Sequence, residues 1–238
     1  MKSFKFVDLF AGLGGFHYAL ESLGGECVFV SEIDKNLRDL YQKNHKVPKS
    51  IIFGDISECC AQVPDHDVLV AGFPCQPFSK SGKQLGFDDK ERGDCIFYVL
   101  NILKRLRPKY FIFENVPNFA KHNKGESWRE VKSALTELGY CVRSTSDAVD
   151  EGKSAKHLSP SQYGFPQKRD RFFAIGSQNY LPKDPFPIPN DIKPRLKNIL
   201  LTNKDKKRKK DKLIDLENCN IKEQGVTAIN LWNKFIDC

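Results

Sequence analysis

The sequence predicts an α/β protein built on a doubly wound, mostly parallel sheet, and three observations carry that prediction. Short apolar runs alternate with amphipathic or polar helical stretches through the first two thirds of the chain. A glycine-rich turn separates the first apolar run from the first helical one. Polar residues then recur where successive apolar runs end, which is where ligands sit in sheets of this kind.

The elements follow in order. Phe4 to Phe10 reads as a buried strand, Gly12-Leu13-Gly14-Gly15 as the turn, and the next residues to about Leu23 as a helix. Cys27 to Ser31 is a second strand, followed by a polar helix from Asp34 to Asn44; Ser50 to Phe53 and Asp67 to Phe73 are the third and fourth strands. Between Cys95 and Leu106, Ile96, Val99, Leu100 and Leu103 recur at i, i+3, i+4 and i+7, giving one apolar helix face. Tyr110 to Phe113 is a strand. Trp128, Val131, Leu135 and Leu138 mark a helix stopped by Gly139, and Tyr140 to Val149 and Arg171 to Ile175 complete the sheet.

After Gly176 the texture changes. Pro182, Pro185, Pro187, Pro189 and Pro194 punctuate a stretch without periodicity, then a basic run, then an apolar tail with Leu231, Trp232 and Phe235. The expected division is a compact domain at 1–178 and a Pro-rich, basic connector at 179–238. Lys and Arg number 38 against 30 Asp and Glu, a net +8. The stretch Asn190–Leu213, with ten basic and three acidic residues, supplies most of it. Lys206-Lys207-Arg208-Lys209-Lys210 suits phosphates, although such a run alone is more often a solvated linker. The 238 residues hold eight Cys and no long apolar run, so a reducing, cytoplasmic setting without a membrane span is expected.

Several residues carry chemistry. The turn Asp8-Leu9-Phe10-Ala11-Gly12-Leu13-Gly14-Gly15-Phe16 fits a nicotinamide fingerprint poorly, because His17 stands where the last glycine belongs. Glu32 ends the second strand at the place of a ribose-binding acid, and Asp55 follows the third. Together these suggest a nucleoside-bearing cofactor. In Gly72-Phe73-Pro74-Cys75-Gln76-Pro77-Phe78-Ser79, two prolines restrict the backbone around Cys75, a candidate nucleophile acting as thiolate. Cys27, Cys95 and Cys141 lie in apolar surroundings and read as packing. No C-x-x-C pair exists and Cys59-Cys60 is poor ligand spacing, so no metal is expected. Glu114, at the end of Tyr110–Phe113, is a candidate general acid. Gln167-Lys168-Arg169-Asp170-Arg171 alternates charge with period two, placing Arg169 and Arg171 on one face toward a carbonyl or phosphate.

Taken in order, the blocks Asp8–Phe16, Glu32, Gly54-Asp55-Ile56, Gly72–Ser79, Glu114-Asn115-Val116 and Gln167–Arg171 resemble the DNA (cytosine-5)-methyltransferases. The resemblance covers about residues 4–178. It implies the Rossmann-like fold of S-adenosylmethionine-dependent methyltransferases. Phe10, Gly12, Gly15, Glu32, Ile33, Asp55, Ile56 and Pro74 would then hold S-adenosyl-L-methionine. It further implies Cys75, Glu114, Arg169 and Arg171 as catalytic, Gln76, Ser79, Ser81 and Gln167 as substrate contacts, and double-stranded DNA with a flipped cytosine as substrate. Lys80 to Gly93 is expected to be the loop that closes over the base.

The family's target-recognition domain and late cofactor block have no counterpart in the sequence. The expectation is therefore the catalytic part of a split or truncated bacterial restriction–modification enzyme. A second polypeptide would supply recognition and cover Trp232, Phe235 and Leu231. The alternative is a catalytically silent nucleic-acid-binding relic.

Overall fold

The computed structural model describes residues 3–74, 95–147 and 157–188, all within one compact unit spanning Met1–Pro194. Cys75, Gln76, Ser79 and Ser81, the Lys80–Gly93 loop, the basic run and the apolar tail with Trp232 lie outside the described residues.

Seven strands form one sheet in the order β3-β2-β1-β4-β5-β7-β6. They are β1 Phe4–Leu9, β2 Gly25–Ser31, β3 Ile52–Phe53, β4 Val68–Ala71, β5 Tyr110–Asn115, β6 Cys141–Ser144 and β7 Phe172–Ser177. Strands β1 to β5 pair in parallel, while β7 runs antiparallel between β5 and β6. The chain winds outward from β1 to β3, then returns to lay β4 on the other side of β1. That reversal opens a crevice beyond the carboxyl ends of β1 and β4, the switch point of such sheets.

The helices are α1 Gly15–Ser22, α2 Lys35–His45, α3 Ile56–Cys59, α4 Cys95–Leu106, α5 Pro117–Lys121 and α6 Glu126–Glu137. The apolar stripe of α4 is buried throughout, Ile96, Val99, Leu100 and Leu103 all facing the core. On α6, Trp128, Val131 and Leu135 do the same, and Gly139 at φ +82° ends the helix. Asp34 caps α2, its Oδ1 accepting from the Asn36 and Leu37 amides at 2.7 and 3.2 Å.

Alternation along the strands sorts side chains onto two faces. Val7, Leu9, Leu69, Ala71, Phe111 and Phe113 join α3 to α6 in one large apolar cluster. Phe6, Val68 and Val70 point the other way and meet Leu20 of α1 in a smaller one. On the large side Phe111 stacks on Phe113 and lies across Gly176 of β7, where a Cβ would sit 1.8 Å from the ring. Only glycine permits that approach.

The elements depart from the sequence expectation at several points. Strand β6 ends at Ser144, because Asp147 accepts from the Ser144 amide and hydroxyl and turns the chain there. Strand β7 starts at Phe172, Arg171 being held instead in a single bridge to Leu158. Helix α3 was not anticipated; four residues are too few for a periodic signal. Beyond β7 the chain stays against the domain, with Leu181 buried and the Tyr163 hydroxyl donating to the Pro187 carbonyl.

Candidate active site

The turn after β1 is built from backbone that side chains usually avoid. Phe10 sits at φ +57°, and Gly12 and Gly14 at +54° and +82°. A bulky residue in the left-handed region costs on the order of 1–3 kcal/mol and is retained where the surroundings fix it. Here they do. The Ala11 amide donates to the Ser31 carbonyl at 3.0 Å, and the Gly12 amide donates to Glu32 Oε2 at 2.9 Å. Glu32 Oε1 accepts from the Asp34 amide at 3.0 Å, so one carboxyl joins the ends of β1 and β2. The Ser31 hydroxyl donates to the Gly54 carbonyl at 2.9 Å and ties in β3.

These strand ends open on a cavity of about 580 Å³, within the size range of small-molecule sites. Of the residues expected to hold a cofactor, Phe10, Glu32, Ile33, Asp55, Ile56 and Pro74 line it. Gly12 acts one step back, through its amide on Glu32, and Gly15 opens α1. The donor set fits a nucleoside. Each Glu32 oxygen has spent one lone pair on an amide and keeps another for ribose hydroxyls. Asp55 uses Oδ1 on the Ser57 amide to cap α3, leaving Oδ2 for an amine. Ile56 is buried beneath, and Ile33 is 71% exposed at the rim, ready to cover a planar ring.

Ser31, Ser57, Gly72, Cys95 and Tyr98 also line the cavity. Their position was not apparent from the sequence, since Cys95 and Tyr98 reach it from the first turn of α4, far along the chain. Cys27, by contrast, is half-buried against the small cluster beside Phe6 and Leu20, and desolvation, with Asp8 nearby, pushes its thiol up to about 12.

Beside the cavity, the end of β5 presents Glu114. Its Oε1 lies 2.6 Å from Arg171 Nε, both side chains largely buried. Arg171 is steadied by two backbone hydrogen bonds with Leu158, at 2.8 and 3.0 Å. Gly72 separates the ion pair from the cavity: it lines the cavity wall, and a Cβ there would stand 3.4 Å from Glu114 Oε2. The next residue, Asn115, is buried. It donates from Nδ2 to the Phe73 carbonyl at 3.0 Å and accepts the Val116 amide on Oδ1 at 2.8 Å. The strand that carries Glu114 therefore also fixes the backbone two residues ahead of Cys75. Arg169 and Gln167 have exposed side chains; the Arg169 amide donates to Ser159 Oγ at 2.9 Å.

Behind the turn, on the α1 side of β1, lies a second polar group. The Tyr41 hydroxyl donates to Asp8 Oδ2 at 3.1 Å and stands 2.7 Å from His17 Nδ1. Burial pushes the Asp8 carboxyl up to about 8 and the His17 imidazole down to about 4.

The family profile described as C-5 cytosine-specific DNA methylase matches residues 4–235. The type II methyltransferase M.HhaI of Haemophilus parahaemolyticus is 42% identical over 200 residues, 83% of this chain and 57% of that protein. M.HaeII of Haemophilus aegyptius is 40% identical over 193 residues, 81% of this chain and 55% of its own length. A crystal structure of a DNMT2 mutant from Spodoptera frugiperda superposes with a TM-score of 0.55 at 26% identity, over 81% of this chain and 55% of that one. The chain thus spans little more than half the length of these relatives. No helix among the described residues is long and apolar enough to cross a membrane. The sheet order, the cavity at its switch point and a profile running from the first strand to residue 235 converge: the chain belongs to the C-5 cytosine-specific DNA methylase family.

Proposed function

We propose that the chain methylates carbon 5 of cytosine in double-stranded DNA with S-adenosyl-L-methionine as methyl donor, its residues 1–178 forming the catalytic and cofactor-binding part. The observation that carries the reading is the place of Gly72, with a nucleoside-sized cavity on one side and the Glu114–Arg171 pair on the other. Base-sequence readout is assigned to segments of the relatives that this chain does not match.

Glu32 would hold the ribose hydroxyls, Asp55 the adenine amine, and Ile33, Ile56 and Phe10 the ring. When bound, S-adenosylmethionine supplies an electrophilic methyl group on a sulfonium. The chain's own task is to make cytosine carbon 5 nucleophilic. The Cys75 thiolate adds to carbon 6 while Glu114 hydrogen-bonds or protonates ring nitrogen N3, turning the aromatic ring into an enamine. Arg171, already oriented by Glu114, holds the base carbonyl, and Arg169 supports the site. After carbon 5 is methylated, loss of its proton restores the double bond and expels Cys75. Flipping the base out of the duplex gives the thiolate access to carbon 6, which stacking otherwise shields.

The test is transfer of labelled methyl groups to mixed-sequence duplex DNA, by the purified chain and again with the product of the adjacent reading frame. Cys75→Ala is expected to abolish transfer, and Glu114→Gln to lower it on the order of 10²-fold or more. Unchanged transfer by Cys75→Ala would overturn the mechanism. Activity confined to the mixture would assign recognition to the second polypeptide.

A further inference from the structure

Helix α1 places residues four apart on one side, and His17 and Glu21 meet there with His17 Nε2 at 3.9 Å from Glu21 Oε1. Helix α2 ends at His45, whose ring lies 4.1 Å from that of His17, centroid to centroid. One ligand atom from each of the three side chains falls within 4.8 Å of the other two, the one such group among the described residues.

A second observation aims this cluster at a cation. The Tyr41 hydroxyl, itself bonded to Asp8 Oδ2, holds His17 at Nδ1, 2.7 Å away. With Nδ1 held there, Nε2 of the buried His17 faces Glu21, 3.9 Å from its Oε1. A histidine whose far nitrogen is held by a hydroxyl and a carboxyl behind it has the orientation that metal sites impose on their imidazoles. Glu21 is 59% exposed, so its carboxylate is free to swing over an entering ion. His45 Nε2 lies 3.1 Å from the Leu13 carbonyl oxygen, and Gly14 makes room for the ring, since a Cβ there would stand 2.1 Å from that nitrogen.

We propose that His17, Glu21 and His45 bind a divalent transition metal of the zinc class, joining α1 to α2 behind the glycine-rich turn. Two imidazoles and one carboxylate, with water completing the shell, suit zinc or cobalt rather than magnesium or calcium. Coordination at ~2.0–2.2 Å requires the three donors to draw together, by rotation of Glu21 and a small shift of the His45 ring. Because the Leu13 carbonyl touches that ring, metal occupancy stiffens the turn whose Gly12 amide holds Glu32.

The test uses the full chain, reduced and stripped with chelator, titrated with cobalt(II) and then with zinc. Expected are one cobalt per chain with visible bands and no thiolate charge-transfer absorption, displacement by zinc, and a higher thermal midpoint with zinc. Glu21→Gln, a surface change that leaves the fold intact, is expected to weaken cobalt binding at least tenfold and to remove the thermal shift. Equal binding by the wild type and Glu21→Gln, a spectrum from thiolate-bound cobalt alone, or no stoichiometric binding would overturn the proposal. None of these readouts depends on methyl transfer.

Discussion

One face of the sheet carries Val7, Leu9, Leu69, Phe111 and Phe113 against α3 to α6, ending in rings that stack, tilt or meet edge to face from Phe73 through Phe119 to Phe172. The opposite face of the same strand β1 turns Asp8 inward, onto Tyr41, His17 and beyond them His45. Both regions are buried, but they are held differently. The first relies on area and fit, which have no preferred direction. The second relies on protons in particular places, where each group's orientation depends on its neighbour. The candidate site stands at the end of both: the apolar face supports Glu114 and Phe73, and the polar face supports the turn that positions Glu32.

Substitutions sharpen the contrast. The largest effect is expected on the apolar face, where Phe113→Ala should destabilise by about 3–5 kcal/mol in denaturant titration, the range for losing a buried aromatic. Tyr41→Phe keeps the ring and removes only the hydroxyl, leaving His17 Nδ1 and Asp8 Oδ2 without their partner. A smaller loss of about 1–3 kcal/mol follows. A Tyr41→Phe variant as stable as the wild type would mean that the polar chain contributes no specific support.

The subtlest effect is in pH. Burial raises Asp8 from 3.8 to about 8, so the folded state keeps a proton that the unfolded state releases; this stability is present in acid and lost as pH rises toward 8. His17, lowered from 6.5 to about 4, contributes stability that is present above 6.5 and lost as pH falls through 4. The two oppose each other below 6.5. Above it only Asp8 acts, so the thermal midpoint in chelator should fall between about pH 6.5 and 8, and Asp8→Asn should flatten that slope. A slope unchanged by Asp8→Asn would assign it to other groups.

The same contrast explains what could be read in advance. The stripe Ile96, Val99, Leu100, Leu103 and the runs of β1, β4 and β5 are periodic, and periodicity is a property of sequence. Glu32 and Asp55 were legible as cavity residues because strand ends converge in this fold class. Cys95 and Tyr98 were not, since their place depends on how α4 packs over β4. The His17–Glu21–His45 group escaped for a similar reason: two of its members share a helix, but the third arrives from the far end of another. Cysteine spacing carries no trace of it. Asn115 is the plainest case, a residue whose hold on the Phe73 carbonyl is visible only once β5 lies beside β4.

Strand β7 has a consequence for how the molecule comes into being. It enters the sheet between β5 and β6, antiparallel to both, so the outer side of β5 has its partner only after the chain beyond β6 has been made. At ~5–20 residues per second on the ribosome, β5 stands for seconds as an open edge rich in aromatic residues. Such an edge is a template for pairing with another chain. For a nascent copy of this protein, the hazardous interval ends when Gly176 slides under the Phe111 ring and closes the sheet.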